Sequence, residues 1–517
     1  MKNKAGTTIG LISVAASLAA VSVLAGCGSE EKSGSSSSPA PGASVPVQSA
    51  PAKKEEPTKI KIITQMSNEA PNDDNPVKLE LEKLTNTKLD ITWVPSTAYN
   101  DKFNATLASS ELPHVLLVSS NRSANVVNAV RAGAFWEIGP YLKQFSNLSK
   151  LNPEVLNGAG YDGKIYLLPR SRDAARHVVA YRKDWLNNLG LSEPKTLDDF
   201  YKVAKAFTEN DPDKNGKNDT VGYVETSSLD SLTRDVSIYF GAPFTYGLVN
   251  NQVTPNFLTP AYLEALQFYR KMYAEKIMNQ DFALINVMQM KDMLVKGKAG
   301  MAITVDSDLS AVYKDTKKID PSADFGFVQG LTGPKGLLAS STGGFLGGYM
   351  FSKGTIKTEA ELLKILAFFD KISTPEGMTL LYRGVKDADY AVEGQYAIPD
   401  ESRPDTVKRA NSALNQLAVA HVSVAMPLKQ ADVDATIAGL VAQNEKIAIY
   451  NISRALISKT QTEKGPELEK MIKDAQVKYI MAQLDEAGLK KAIEDWRKAG
   501  GDKVIAELTE EYHKTAK

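Results

Sequence analysis

Val115-Leu116-Leu117-Val118, followed at once by Ser119-Ser120-Asn121-Arg122, decides the fold. Four apolar residues bounded by polar ones have the length of a fully buried strand. Upstream, Ile60 to Thr64 reads as a strand and Pro76 to Thr85 as a helix. Leu89 to Val94 reads as a second strand, and a further helix runs through Phe103 and Leu107. Strands that alternate with helices predict an α/β fold with a largely parallel sheet. Open sheets of this kind bind ligands beyond the carboxyl ends of their strands, which is where Asn121 and Arg122 fall.

The N-terminus gives the location. Lys2 and Lys4 precede an apolar run from Ile9 to Leu24, shorter than the ~20 residues of a membrane-spanning helix. The run ends in Leu24-Ala25-Gly26-Cys27 and then turns polar. Small residues before a cysteine let the chain lie extended in a protease cleft, and the Cys27 thiolate is the nucleophile that takes a thioether-linked diacylglycerol. The pattern resembles the bacterial lipoprotein signal. Cys27 is the one cysteine of the chain, so an intramolecular disulfide is excluded. Residues 28–57, rich in Ser, Pro, Ala, Gly and charge, bury too little apolar surface to fold and read as a tether of roughly 30 Å. The expected location is the outer face of the cell membrane, held there by lipid alone.

The remaining ~460 residues exceed what one core accommodates and suit two lobes. Lys+Arg and Asp+Glu both number 61, so no net field draws in nucleic acid or an acidic membrane surface.

A succession of short motifs then carries a family resemblance. It comprises Gly133-Ala134-Phe135-Trp136-Glu137-Ile138, Tyr161-Asp162-Gly163-Lys164-Ile165-Tyr166, Leu168-Pro169, Tyr181-Arg182-Lys183-Asp184-Trp185 and Leu189-Gly190-Leu191. Lys195-Thr196-Leu197-Asp198-Asp199-Phe200, Gly297-Lys298-Ala299-Gly300-Met301-Ala302 and Ser373-Thr374-Pro375-Glu376-Gly377 follow. In this order they resemble the family-1 extracellular solute-binding proteins of ABC importers, within them the large lipoprotein branch that includes alginate-oligosaccharide binders. Each motif also has a local reading: Asp162-Gly163-Lys164 as a turn, Thr196 as a helix N-cap, Pro375 as a helix start.

The resemblance implies a type II periplasmic-binding-protein-like fold, with two hinged lobes around a cleft and a helical C-terminal part. It implies a first lobe of residues 58–172 plus 335–385 and a second of 173–334 plus 386–517, with crossings near Arg172, Gly333 and Lys386. Helices are expected over Gly465 to Leu484 and Leu489 to Lys498. The implied function is capture of a sugar or oligosaccharide by a monomeric receptor that delivers it to importer permease subunits. Asn121 and Arg122 stand where maltose-binding relatives place an Asp-Arg pair. Arg170 and Arg172 lie at the first crossing, and Asp306 and Ser307 end the strand Met301 to Val305. Arginine suits an acidic sugar because its fork matches a carboxylate bidentately. Trp136 and Trp185 read as core, and Gly343 to Tyr349 as a tight turn entering a buried strand.

The sharpest chemical motif is Asp211-Pro212-Asp213-Lys214-Asn215-Gly216-Lys217-Asn218-Asp219. Oxygen side chains at loop positions one, three, five and nine, a glycine at six and the Lys217 carbonyl at seven follow the calcium spacing of an EF-hand. Position twelve is Gly222 rather than a bidentate Glu, which leaves Thr220 or water to complete the shell of a structural calcium ion.

Nothing in the sequence points to an enzyme. His114, His177, His421 and His513 lack zinc spacing, and no Gly-x-Ser-x-Gly elbow occurs. Paired glycosidase carboxylates carry no fixed spacing, so a lipid-anchored carbohydrate-active enzyme is the rival reading. A ligand-sensing partner of a membrane kinase is a third.

Overall fold

The computed structural model describes residues 56–66, 69–109, 111–119, 122–429 and 431–515. The signal segment, Cys27, nearly all of the tether and Asn121 lie outside the described residues.

Two sheets organise the chain. The first has the order Thr87–Pro95, Thr58–Met66, Val115–Val118, Phe345–Phe351, Leu168–Ser171. Its first three strands are parallel, and Phe345–Phe351 runs antiparallel to both of its neighbours. The second has the order Phe325–Val328, His177–Arg182, Ala299–Val305, Val221–Tyr223. Here His177–Arg182 is antiparallel to both neighbours, and Val221–Tyr223 is parallel to Ala299–Val305. The largely parallel expectation therefore holds for the opening strands and for the pair Val221–Tyr223 with Ala299–Val305. Strands that enter a sheet straight from a crossing run against it.

Val115–Val118 is buried along its whole length, as its composition demands. Local chemistry places the helices too. Asn75 accepts hydrogen bonds from the N–H groups of Val77 and Lys78 ahead of Pro76–Thr85, and Asn86 ends that helix at φ 50°. Thr196 and Asp199 form a capping box at the start of Leu197–Glu209. Thr374 caps Pro375–Arg383. Asp162 and Gly163 make their turn at φ 49° and 76°. Trp185 is fully buried edge-on to Phe207, and Trp136 donates to the Ile356 carbonyl, so both belong to cores. The helix expected over Gly465 to Leu484 begins earlier, at Lys459, and carries Pro466 inside it. The next spans Glu486–Trp496.

Each sheet has its own hydrophobic core, which makes two lobes. The first gathers Ile60, Leu116, Leu117, Phe135, Tyr349 and Phe369, the second Trp185, Phe207, Tyr223, Tyr269 and Met301. The assignment of residues 386–517 to the second lobe needs correcting. Leu414, Leu417, Val419 and Ala425 lie in the first core, because the helix Asp405–Leu414 packs on Pro76–Thr85 and Pro375–Arg383. The chain changes lobe near residue 430 instead, where Asp432–Asn444 sets Val433, Ile437 and Val441 against Val178 and Ala180 of the second sheet. Among the described residues no helix is long and apolar enough to cross a membrane.

Candidate functional site: the cleft between the lobes

The strand registers bring two edges together. In the first sheet the carboxyl ends of Thr58–Met66, Thr87–Pro95, Val115–Val118 and Leu168–Ser171 share one edge, and Ser171 leads into the crossing of residues 172–176. In the second sheet His177 leaves that crossing paired with Val305, so the carboxyl ends of Ala299–Val305, Val221–Tyr223 and Phe325–Val328 lie at the same edge. Loops beyond both edges thus meet across one short connection, the usual place for a ligand in open α/β sheets.

Three chain passages run side by side at the crossing. Ala339–Ser340 pairs in parallel with Ala448–Ile449, and the Thr342 N–H donates to the Ala174 carbonyl at 2.5 Å. The Glu445 carboxylate accepts from the N–H groups of Ala174 and Ala175, and the Asn444 side chain donates to the His177 carbonyl at 2.9 Å. Asp235, 2% exposed, joins the ring of His177 (2.6 Å) to the hydroxyl of Ser340 (2.7 Å). None of these groups was singled out by sequence, because each is a lone polar residue whose partner is remote in the chain.

The expected contact residues divide into those held by the protein and those left open. Arg122 donates to the Arg454 carbonyl at 2.7 Å and the Gly158 carbonyl at 3.1 Å, and its guanidinium lies 5.0 Å from the Tyr161 ring centre. It is a strut between chain segments rather than an open contact. Asp306 pairs with Arg176, whose guanidinium also reaches Ser307 Oγ at 3.1 Å, and the Ser307 N–H donates to Asp306. That pairing neutralises Asp306. With Ser310, Lys314 and Asp434 it lines a cavity of about 470 Å³ whose other residues include Glu401 and Pro399, the end of the hairpin formed by Tyr390–Glu393 and Tyr396–Pro399.

Arg170 and Arg172 differ. Among the described residues Arg170 donates one hydrogen bond, to the Leu346 carbonyl at 3.3 Å, and its buried Nε has no partner. Its charge lies beside Tyr99, Tyr349 and Tyr382. Arg172 lines a cavity of about 490 Å³ with Asn147, Lys150, Asn152, Asp173 and His421. Among the described residues no carboxylate pairs with either guanidinium. The His421 ring stands 3.1 Å from Asp173, which raises its affinity for a proton. Leu346, 53% exposed, adds an apolar face at the same edge. Arg170 and Arg172 are thus brought to the cleft, whereas Arg122 is not free and Arg172 and Asp306 line different cavities.

The Asp211–Asp219 loop lies in the second lobe. The Asp211 carboxylate accepts from the N–H groups of Asn215 (3.1 Å) and Gly216 (2.9 Å), with Asp211, Lys214 and Gly216 all at positive φ. The Asn215 amide nitrogen sits 2.7 Å from Asp213 and 3.2 Å from Asp219. Burial and the neighbouring Asp211 push the Asp213 carboxyl up, the mark of crowded negative charge. Lys298 pairs with Asp219 at 2.7 Å. Among the described residues no three His, Cys, Asp or Glu side chains are gathered around one point as a bound metal needs. The donors suit a hard cation once the Asn215 amide turns its oxygen inward. The buried Thr220 hydroxyl donates to the Phe207 carbonyl at 2.7 Å.

One further titratable group was not foreseen. Glu225, 1% exposed beyond the strand Val221–Tyr223, accepts from Tyr223 (3.1 Å), Tyr269 (3.0 Å) and the Thr226 N–H (2.7 Å). Burial pushes its carboxyl up to about 7, against those hydrogen bonds.

The family model of bacterial extracellular solute-binding proteins matches residues 67–379, more than half of the chain. The chain belongs to this family. Its members are binding proteins. Lipoprotein LipO of Bacillus subtilis is 36% identical over 88% of the chain and 92% of that protein. The polygalacturonan/rhamnogalacturonan-binding protein YtcQ of the same organism is 34% identical over 96% and 97%. The crystal structure of alginate-binding protein AlgQ2 without calcium ion superposes with a TM-score of 0.65 at 18% identity, over 89% of this chain and 99% of that one, which shows the shared two-lobed fold.

Proposed function

We propose that this solute-binding protein is a lipid-anchored receptor that closes its lobes on an acidic sugar oligomer and delivers it to an ABC importer. The observation that carries the reading is the pair Arg170 and Arg172, unanswered by any described carboxylate, at the edge where the two sheets meet. A solute that touches both lobes stabilises the closed state by its extra contacts there, and hinge closure then signals occupancy to the permease. A uronate fits: its carboxylate matches a guanidinium fork, and its ring presents an apolar face to Leu346. The name of YtcQ, a relative over nearly the whole length, supports a pectin-type oligomer.

Cys27 would carry the anchor on the extracellular face, with residues 28–57 as tether. Asp211, Asp213, Asn215, the Lys217 carbonyl and Asp219 would hold a calcium ion that stiffens the second lobe and takes no part in chemistry.

Calorimetric titration with oligogalacturonides, together with small-angle scattering, tests the reading. Binding should come with a fall in the radius of gyration, and Arg170→Ala with Arg172→Ala should weaken it by about tenfold or more. Equal affinity for neutral oligosaccharides, or cleavage of the oligomer, would sink it.

A further inference from the structure

A second chamber, of about 370 Å³, lies wholly within the second lobe. Its walls come from residues 228–262 and from the C-terminal helices 461–504, with none from the first sheet or the crossing. Phe244, Tyr262 and Trp496 are nearly buried around it, and Phe257 meets Trp496 edge to face at 4.9 Å. The Tyr246 and Tyr262 hydroxyls are answered by Gln461 and Gln476. Arg234 is not answered. Its guanidinium lies 5.6 Å from the Phe244 ring centre, its Nε is buried with no hydrogen-bond partner, and among the described residues no carboxylate or carbonyl pairs with it. The acids of the chamber, Asp230 and Glu469, stand exposed at its rim, as does Lys473.

The long C-terminal helix is shaped for this opening. Gly465 is buried on the chamber side, and a Cβ there would meet only Gln461, at 3.6 Å. The next residue is Pro466, which removes a helical hydrogen bond at the same turn. A glycine-proline pair inside a 22-residue helix costs helical stability, and here it leaves room beside Arg234.

We infer that this chamber is a separate binding site for a small monoanionic sugar acid, its carboxylate on Arg234 and its apolar ring face against the aromatic wall. The carboxylate fits Arg234, an inward charge with no partner among the described residues, the aromatic faces suit the C–H patch of a pyranose, and the volume suits a mono- or disaccharide. Because its walls belong to one lobe, occupancy does not require closure.

Calorimetric titration of the full chain with galacturonate, galactose and benzoate tests the site. Galacturonate should bind and galactose should bind about tenfold more weakly or not at all. Arg234→Met should abolish galacturonate binding, and so should Gly465→Leu, which fills the space. Gly465→Leu should also keep or raise the melting temperature, separating loss of the site from loss of fold. Arg170→Ala with Arg172→Ala should leave galacturonate binding intact while weakening oligomer binding, so the cleft and the chamber stand or fall separately. Absence of galacturonate binding overturns the inference, as does binding that survives both Arg234→Met and Gly465→Leu or is lost with Arg170 and Arg172. Benzoate bound in place of galacturonate overturns it likewise.

Discussion

The two lobes present their strand ends to the cleft in opposite electrical states. On the second lobe the acids described at the edge are answered within the fold: Asp306 by Arg176, Asp235 by His177 and Ser340, Glu225 by two tyrosine hydroxyls. On the first lobe Arg170 and Arg172 meet no described carboxylate. Answered charge fixes geometry, whereas an unanswered cation is free to take an anion from solution. On the proposed reading the second edge is the frame of the hinge and the first is the part that reads the solute.

That contrast can be broken by substitution. Asp235→Ala leaves His177 and Ser340 without their common acceptor in a dry site and should lower stability by about 3 kcal/mol, checked by urea unfolding. Arg172→Ala should change stability by less than about 0.5 kcal/mol. If both variants unfold alike, the two edges are not different in kind.

Glu225 sharpens the same point through pH. Its folded value of about 7 lies above the ordinary 4.5, so the folded state holds the proton more tightly and stability falls as pH rises through that window. Glu225→Gln should flatten this slope, removing a penalty on the order of 2 kcal/mol between about pH 5 and about pH 8. Parallel pH–stability curves for the two proteins would exclude the effect. On the first edge, Arg170→Ala should weaken an acidic oligomer by about 1.5 kcal/mol and leave a neutral one unchanged, as calorimetry would show.

A smaller effect than that of Glu225 or Arg170 belongs to the Asp211–Asp219 loop. Chelation should lower the stability of the protein by about 1 kcal/mol at millimolar calcium, read as a fall in melting temperature. The Asp211→Ala, Asp213→Ala variant should not respond. Equal responses would remove this loop as the metal site.

Much was legible along the chain. Val115–Val118, the Thr196 cap and the Asp162-Gly163 turn are local events, each settled by neighbours a few residues apart. The motif succession placed the family. The site was legible only as positions: Arg122, Arg170, Arg172 and Asp306 all follow strands or end them, yet two of the four are held by the protein itself. Which arginine is held depends on carbonyls such as Arg454, 332 residues from Arg122. The second-lobe assignment of residues 386–517 failed for the same reason, since Leu414 and Leu417 are apolar in either setting and only packing selects the core they enter.

By itself the sequence determined several strands and helices, the Thr196 cap and the Asp162-Gly163 turn, and the acid-rich spacing of the Asp211 loop. These depend on backbone preference and on hydrogen bonds between near neighbours. Only the tertiary structure decided that Arg170 and Arg172 meet no described carboxylate, that Asn444 reaches the His177 carbonyl 267 residues away, and that Arg234 faces a chamber. Charge is written in the residue, but its partner is chosen by three-dimensional proximity.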